Sequence, residues 1–518
     1  MTSSTSAVIV GGGHNGLVCA AYLARAGFHV QILEARDSVG GAASASGFAE
    51  GYKVSGLAHV LHSLSPKVCR DLNLSDAGLD MGPSLETISL DRNGQHLQLG
   101  NDSISAEGLT EKDIKAYASF KQEFRSYAKV LEPLMMNKPP RLKDMDSPDK
   151  LTLAKLGWKL RFGLGKDSMR EFLRVGGINI YDVLNEVFDD DRVKGAMAVD
   201  AVMGHHMGPR TPGTVLSYLH RLRSEIHGSQ SMPPGGMVHV INALTRSATK
   251  AGVAIQTGSK VARILVVDGK TQGVELETGE RFEADIVISN ADAKTTFLDL
   301  IGTQELDAMF AHRIHNTRTA GNVAKLHFAL NGLPDIAGLS PHQLGQRLIV
   351  APSMRYVEHA FNHAKYAEYS RDPVLEITIP SISDPGLAPP EHHVMSVCAT
   401  FAPYAVKNGW DENRDEFLAL VVELIGKYAS GFENQIAASQ ILTPVDIEAE
   451  YGICGGHWHH GELAIDQSFM MRPVHGSAQY DTPIDGLFLC GAAAHPGGGI
   501  TGIPGHNAAR RILAMSGR

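Results

Sequence analysis

Three glycines and a carboxylate carry the first chemical signal in this chain. Gly11, Gly13 and Gly16 fit G-x-G-x-x-G, with Asn15 inside the motif. Glu34 follows at close to the roughly 20-residue spacing of a ribose-binding acid. Gly11 permits a tight turn, Gly13 lets backbone approach a pyrophosphate, and Gly16 lets a helix pack closely on a strand. Residues 8–10 read as a buried strand, 17–26 as an alanine-rich helix, and 29–33 as a second strand ending at Glu34. Free N–H groups at the helix start favour negative charge there. An acid at position 34 disfavours a ribose 2′-phosphate, which leaves NAD or FAD. The pair Gly40-Gly41, just past Arg36, favours FAD. No second motif of this kind follows, so one FAD and no nicotinamide domain are expected.

Histidines form the next signal. His457, His459 and His460 surround Trp458. A strand would put His457 and His459 on one face, with His460 elsewhere. No acid beside them completes a metal set, so they read as an active-site wall and no metal is expected. His59, His62, His205 and His206 read as structural. His495, before Pro496, either touches the flavin or orders the turn.

These groups need large elements to position them, and 518 residues suffice for two or three domains. A net charge of −9 argues against nucleic-acid partners. The five cysteines contain no C-x-x-C and suit a reducing compartment, so a cytoplasmic location is expected. No apolar run is long enough to span a membrane, and residues 1–6 lack the positive charge of a signal peptide. Residues 150–162 mix lysines with Leu, Trp and Phe. They read as an ordinary helix with a wet basic face, the alternative being peripheral membrane contact. A homodimer is left open.

The expected fold class is α/β: a discontinuous, glutathione-reductase-type Rossmann-like FAD domain with an inserted α+β substrate domain. The FAD domain is assigned 1–110, 224–300 and 456–518, and the substrate domain 111–223 and 301–455. Residues 110–223 read as mainly helical, with breaks at 139–140 and 209–212. A helix over 238–251 precedes strands at 253–255, 261–267, 273–276 and 284–289, with hairpin turns at 268–269 and 278–279. Further strands are expected at 323–330, 374–379 and 394–401, and a helix at 416–428.

Nearly full length, the chain resembles the phytoene-desaturase-like branch of the flavin amine oxidase superfamily, and most of all the pyridine nucleotide-disulphide oxidoreductase domain-containing protein 2 group. The resemblance rests on residues 8–17, Pro-Gly-Gly-Met at 234–237, residues 379–390, Gly-Leu-Phe-Leu-Cys-Gly at 486–491 and His-Pro-Gly-Gly-Gly at 495–499. It implies that Glu34 binds the adenosine ribose and Val261 contacts the adenine through its backbone. Gly491 and its successors would follow the pyrophosphate and ribityl chain, and Gly499, Ile500 and Gly502 would lie near the isoalloxazine. Gly491-Ala492 departs from the usual Gly-Asp pair and removes one ribityl hydrogen bond. The same resemblance puts Lys325 on the strand whose lysine bonds flavin N5 through water. Lys325, His460 and His495 are therefore the candidate catalytic residues.

The function implied is an FAD-dependent oxidoreductase that removes a hydride from a C–H bond next to nitrogen or a double bond. Its substrate would be a lipophilic small molecule or an amine, and its electrons would pass to oxygen or a quinone-like acceptor. The alternatives are a redox-neutral flavin isomerase of a polyene and a non-enzymatic escort protein.

Overall fold

The apolar run at the start of the chain becomes the centre of a parallel sheet. In the computed structural model, which describes residues 5–141, 143–226, 228 and 230–517, strand Ser6–Val10 lies between Ile286–Ser289 and His29–Leu33. Leu487–Leu489 and Ala254–Gln256 form the outer strands. These five strands come from the beginning, middle and end of the chain. Val8, Ile9, Val30, Ile32, Val287 and Ile288 are all buried, the pattern of a sheet covered on both faces.

Two helices meet above this sheet. Helix His14–Arg25 starts directly after the glycine motif, and helix Ile503–Met515 ends the chain. A Cβ on Gly505 would lie 2.1 Å from the Asn15 carbonyl oxygen, so only glycine allows the two helices to come this close.

An antiparallel meander follows the helix Met237–Lys250. Its strands are Val261–Val267, Lys270–Leu276 and Arg281–Glu283. Asp268 and Gly269 both have left-handed φ, 51° and 73°, as a tight hairpin turn needs. The stretch expected as one strand at 284–289 is shorter, because Arg281–Glu283 closes the meander before Ile286–Ser289 enters the parallel sheet.

The third layer is an eight-stranded sheet, in the order Ile436–Leu442, Val323–Leu330, His393–Thr400, Val374–Thr378, Arg347–Val350, Thr87–Ser89, Leu97–Leu99 and Ile104–Ser105. It takes its last three strands from within segment 1–110, with Thr87–Ser89 running parallel to Arg347–Val350. Those strands are only two or three residues long, too short for a clear period in the sequence. One face packs on the helices Glu111–Met135, Asp191–Val202 and Thr214–Arg221, where Phe120 and Phe124 stack at 3.9 Å. Leu326, Phe328 and Val397 face Trp410, Phe417 and Val421 of helix Gly409–Gly426 on the other side. With both faces covered, every residue of Val323–Leu330 is buried, Lys325 and His327 included.

Candidate functional site

A cavity of about 640 Å³ runs from Glu34 and Val261, past Gly13 and Gly499, to His59, His205 and Cys398. Its first half is a cradle of backbone. Glu34 stands at the end of strand His29–Leu33, and its carboxylate accepts the Gly12 N–H at 2.7 Å and the Arg36 N–H at 2.9 Å. Arg36 lies over the Tyr451 ring at 4.4 Å and donates to Ser44 Oγ. Helix His14–Arg25 begins at Gly13 with no side-chain cap and no acid in its first turn. Helix Ile503–Met515 begins at Gly502, whose φ of 69° favours glycine, and Thr501 Oγ1 accepts the Ile503 N–H at 3.1 Å.

The uncapped start of helix His14–Arg25, with Gly13, His14 and Asn15 lining the cavity, presents unsatisfied N–H groups and a positive dipole end, a fit for an anionic ligand. Asn15 Oδ1 is buried without a partner, and Asn15 lines the same space. The donor set, the length of the cavity and Glu34 at its far end fit FAD.

Gly11, Gly13, Asn15, Glu34, Arg36 and Gly41 line the cavity as the sequence suggests, and so do Val261, Gly499 and Ile500. Gly16, Gly491 and Gly502 stand behind the wall. A Cβ on Gly16 would sit 2.5 Å from the Gly11 carbonyl oxygen, and one on Gly491 2.4 Å from that of Asn290. They support the cradle by allowing close approach.

The second half of the cavity is built of side chains. His460 lines it with φ 56°, and its buried Nδ1 has no partner. Burial pulls its pKa down to about 4, so the imidazole is neutral at neutral pH. His14, which sequence reasoning missed, donates Nε2–H to the Gly499 carbonyl at 3.1 Å and is likewise pulled by burial to about 4. Its only sequence signal is its place between Gly13 and Asn15.

Residues 457–460 form a turn instead of the expected strand, with His460 N–H donating to the His457 carbonyl at 2.7 Å. Gly455, Gly456 and Gly461 flank it with positive φ, which ends any extended run. The turn brings in the acid that the sequence pattern lacked. Glu462 accepts from His205 Nδ1 at 2.8 Å and from the His206 N–H at 3.0 Å, and His457 Nε2 lies 3.8 Å away. Burial opposes ionisation of Glu462, but the hydrogen bond from His205 and the nearby His457 outweigh it and hold the carboxyl well below its usual range. Arg472 is fully enclosed and donates to the carbonyls of His459, Gly461, Glu462, Gln467 and Ala492. It ties the histidine turn to the segment that follows Gly491.

His495 and Lys325 do not line this cavity. His495 donates Nε2–H to the Leu134 carbonyl at 3.0 Å, and its own carbonyl accepts from Tyr480 Oη at 2.9 Å. It orders a junction. Lys325 is enclosed in the sheet with Nζ 3.6 Å from Cys398 Sγ, and Cys398 forms the wall there. His59 donates Nε2–H to Glu376 at 2.9 Å close by. All five cysteines are free thiols.

Comparison with known proteins shows the family. Residues 16–513 match the family model for flavin containing amine oxidoreductase. The pyridine nucleotide-disulfide oxidoreductase domain-containing protein 2 of Mus musculus is 34% identical, over 98% of this chain and 93% of that one. A phytoene desaturase (lycopene-forming) of Pseudescherichia vulneris is 24% identical, over 96% of each. An oxidoreductase from Methanosarcina mazei shares the fold, with a TM-score of 0.60 and 17% identity, over 98% of this chain and all of that one. This chain belongs to the flavin containing amine oxidoreductase family and is an FAD-dependent oxidoreductase.

Proposed function

We propose that the chain oxidises a small molecule at a C–H bond next to nitrogen or to a double bond, and passes the electrons to oxygen or a quinone-like acceptor. The observation that carries this reading is one continuous cavity joining a dinucleotide cradle to a wall of buried imidazoles. FAD, when bound, supplies the two-electron acceptor for the hydride. Breaking such a bond also releases a proton, from the amine or from the neighbouring carbon. His205 is placed to take it: Nδ1–H is committed to Glu462, which leaves Nε2 as the ring nitrogen outside that bond, on a residue that lines the cavity. The Glu462 carboxylate fixes that tautomer and stabilises the imidazolium that forms. Neutral His14 and His460 add no cation to oppose it. The family's name supports the amine alternative, and the relative named as a phytoene desaturase supports the double-bond alternative.

The test is anaerobic mixing of the FAD-loaded protein with panels of amines and of alkenes, read as bleaching of the flavin, followed by oxygen or a quinone. Bleaching by one class, reversed by an acceptor, is the expected result. A flavin that no member of either panel reduces contradicts the proposal.

We further propose that residues 150–162 rest on an anionic membrane surface. Leu151, Trp158 and Phe162 are 54%, 66% and 61% exposed, among exposed Lys150, Lys155, Lys159 and Arg161. No helix among the described residues is long and apolar enough to cross a membrane. Co-sedimentation with phosphatidylserine vesicles, lost in Trp158→Ser/Phe162→Ser, is expected; equal sedimentation of both proteins contradicts it.

A further inference from the structure

The sheet register puts three reactive side chains in one row. Lys325 pairs with Cys398, and Cys398 pairs with Glu376 on the next strand. Cross-strand neighbours of this kind project to the same face. This face meets the helical layer, and Cys398 and Glu376 both line the cavity. From segment 52–65, His59 brings Nε2 to 3.5 Å from Cys398 Sγ and 2.9 Å from Glu376 Oε1.

The surrounding charges balance in pairs. Arg347 bonds Asp200 at 2.7 Å and Glu376 at 2.6 Å, while Arg221 bonds Glu376 at 3.0 Å and approaches Asp200 at 3.3 Å. Two guanidinium groups thus answer two carboxylates. His327, beside Lys325, is committed to the Gly56 carbonyl and to Ser396, and burial keeps it neutral. His62, near Arg221, is also held neutral by burial. Thr378 Oγ1 faces the other nitrogen of His59 at 3.3 Å. Burial pulls the pKa of the enclosed Lys325 down, Cys398 and Glu376 oppose that pull, and the sulfur of Cys398 lies 3.6 Å from its Nζ.

We propose that Cys398 is a thiolate nucleophile in the cavity wall, held by His59 and Lys325, that captures conjugated carbonyl electrophiles such as enones and quinones. The sulfur pair forms a bond to the β carbon, and the π pair of the C=C bond shifts toward the carbonyl oxygen. The enolate then takes a proton from water, leaving a thioether with no net redox change. Burial alone would push the Cys398 thiol up, but His59 and Lys325 outweigh it and hold the thiol below its usual range. Burial pushes Cys69 up to about 11, and Cys454 and Cys490 are raised as well. Together, His59, Glu376 and Cys398 also offer three metal-type ligand atoms within 4.8 Å. Three cations, Lys325, Arg221 and Arg347, stand beside them and oppose a divalent ion.

The experiment is alkylation of the FAD-loaded protein by N-ethylmaleimide across neutral pH, with the labelled cysteine located by peptide mass spectrometry. An ordinary thiol reacts about tenfold faster per pH unit below its pKa, following its thiolate fraction. Cys398 should label first, with a rate that rises by clearly less than tenfold per pH unit across neutral pH. Lys325→Met and, separately, His59→Gln should restore the tenfold-per-unit slope, with flavin absorbance confirming that each variant is folded. A wild-type slope of tenfold per unit, or no labelling of Cys398 at any pH, overturns the proposal. So does a shallow slope that persists in both variants.

Discussion

The two halves of the cavity are made of different material. The cradle is backbone: glycines, a helix N-terminus and one carboxylate, most of them within residues 11–41. The chamber is side chains, from His59, His205, Glu376, Cys398 and His460, with Glu462 behind His205; only His460 and Glu462 share a stretch of chain. A site made by backbone must fix its residue types locally, because a turn or a close approach admits few alternatives. A site made by side chains needs only that the fold bring them together. The first leaves a motif in the sequence, and the second leaves scattered polar residues.

The sharpest way to break this division is to fill the cradle. Gly16→Val pushes carbon into the Gly11 carbonyl, which lies 2.5 Å from the position of a Cβ. A clash with backbone stands at the upper end of the roughly 1–3 kcal/mol range for overpacking, and FAD affinity measured by flavin fluorescence should fall about a hundredfold. Unchanged affinity would mean the backbone does not form the cradle.

Next in size is a chamber change that spares the cradle. Glu462→Gln removes the charge that orients His205, and kcat should fall by about 10²-fold, in the range for a lost acid–base partner. The dissociation constant for FAD should not change. Equal losses in kcat and in FAD binding would merge the two regions.

A gentler test of the cradle is Glu34→Gln, which exchanges a charge-assisted acceptor for a neutral one. The loss should be about tenfold in FAD affinity, with kcat preserved at saturating FAD.

A test of the chamber that leaves every residue in place is the response of stability to acid. His14 and His460 lie near 4 in the folded chain, against an ordinary 6.5. Between those values the unfolded chain binds more protons, so folding weakens as pH falls from about 6.5 toward 4 and levels off below. Each contributes a loss on the order of 2 kcal/mol by about pH 5. The thermal midpoint of the FAD-loaded protein should therefore drop between about pH 7 and 5; a constant midpoint would show that these imidazoles are not held neutral by burial.

How much was legible follows the same line. The strand–glycine–helix–strand–acid order gave the cradle residue by residue, and the parallel sheet with it. The eight-stranded sheet was visible only in its long strands, such as Val323–Leu330, and not in Ile104–Ser105, two residues long. Glu462 was invisible as a partner of His205 because 257 residues separate them. His457 and His459 suggested a strand because every second residue matched, yet Gly455, Gly456 and Gly461 fold that stretch into a turn. Lys325 was noticed for its strand, but its neighbour Cys398 is set by sheet register, which pairs residues 73 apart.

The most direct test is the visible flavin absorbance, per mole of folded chain, of wild type, Gly16→Val and Glu462→Gln. The account predicts one FAD per chain in wild type and in Glu462→Gln, and none in Gly16→Val. A wild type without flavin, or equal flavin in all three, would contradict it.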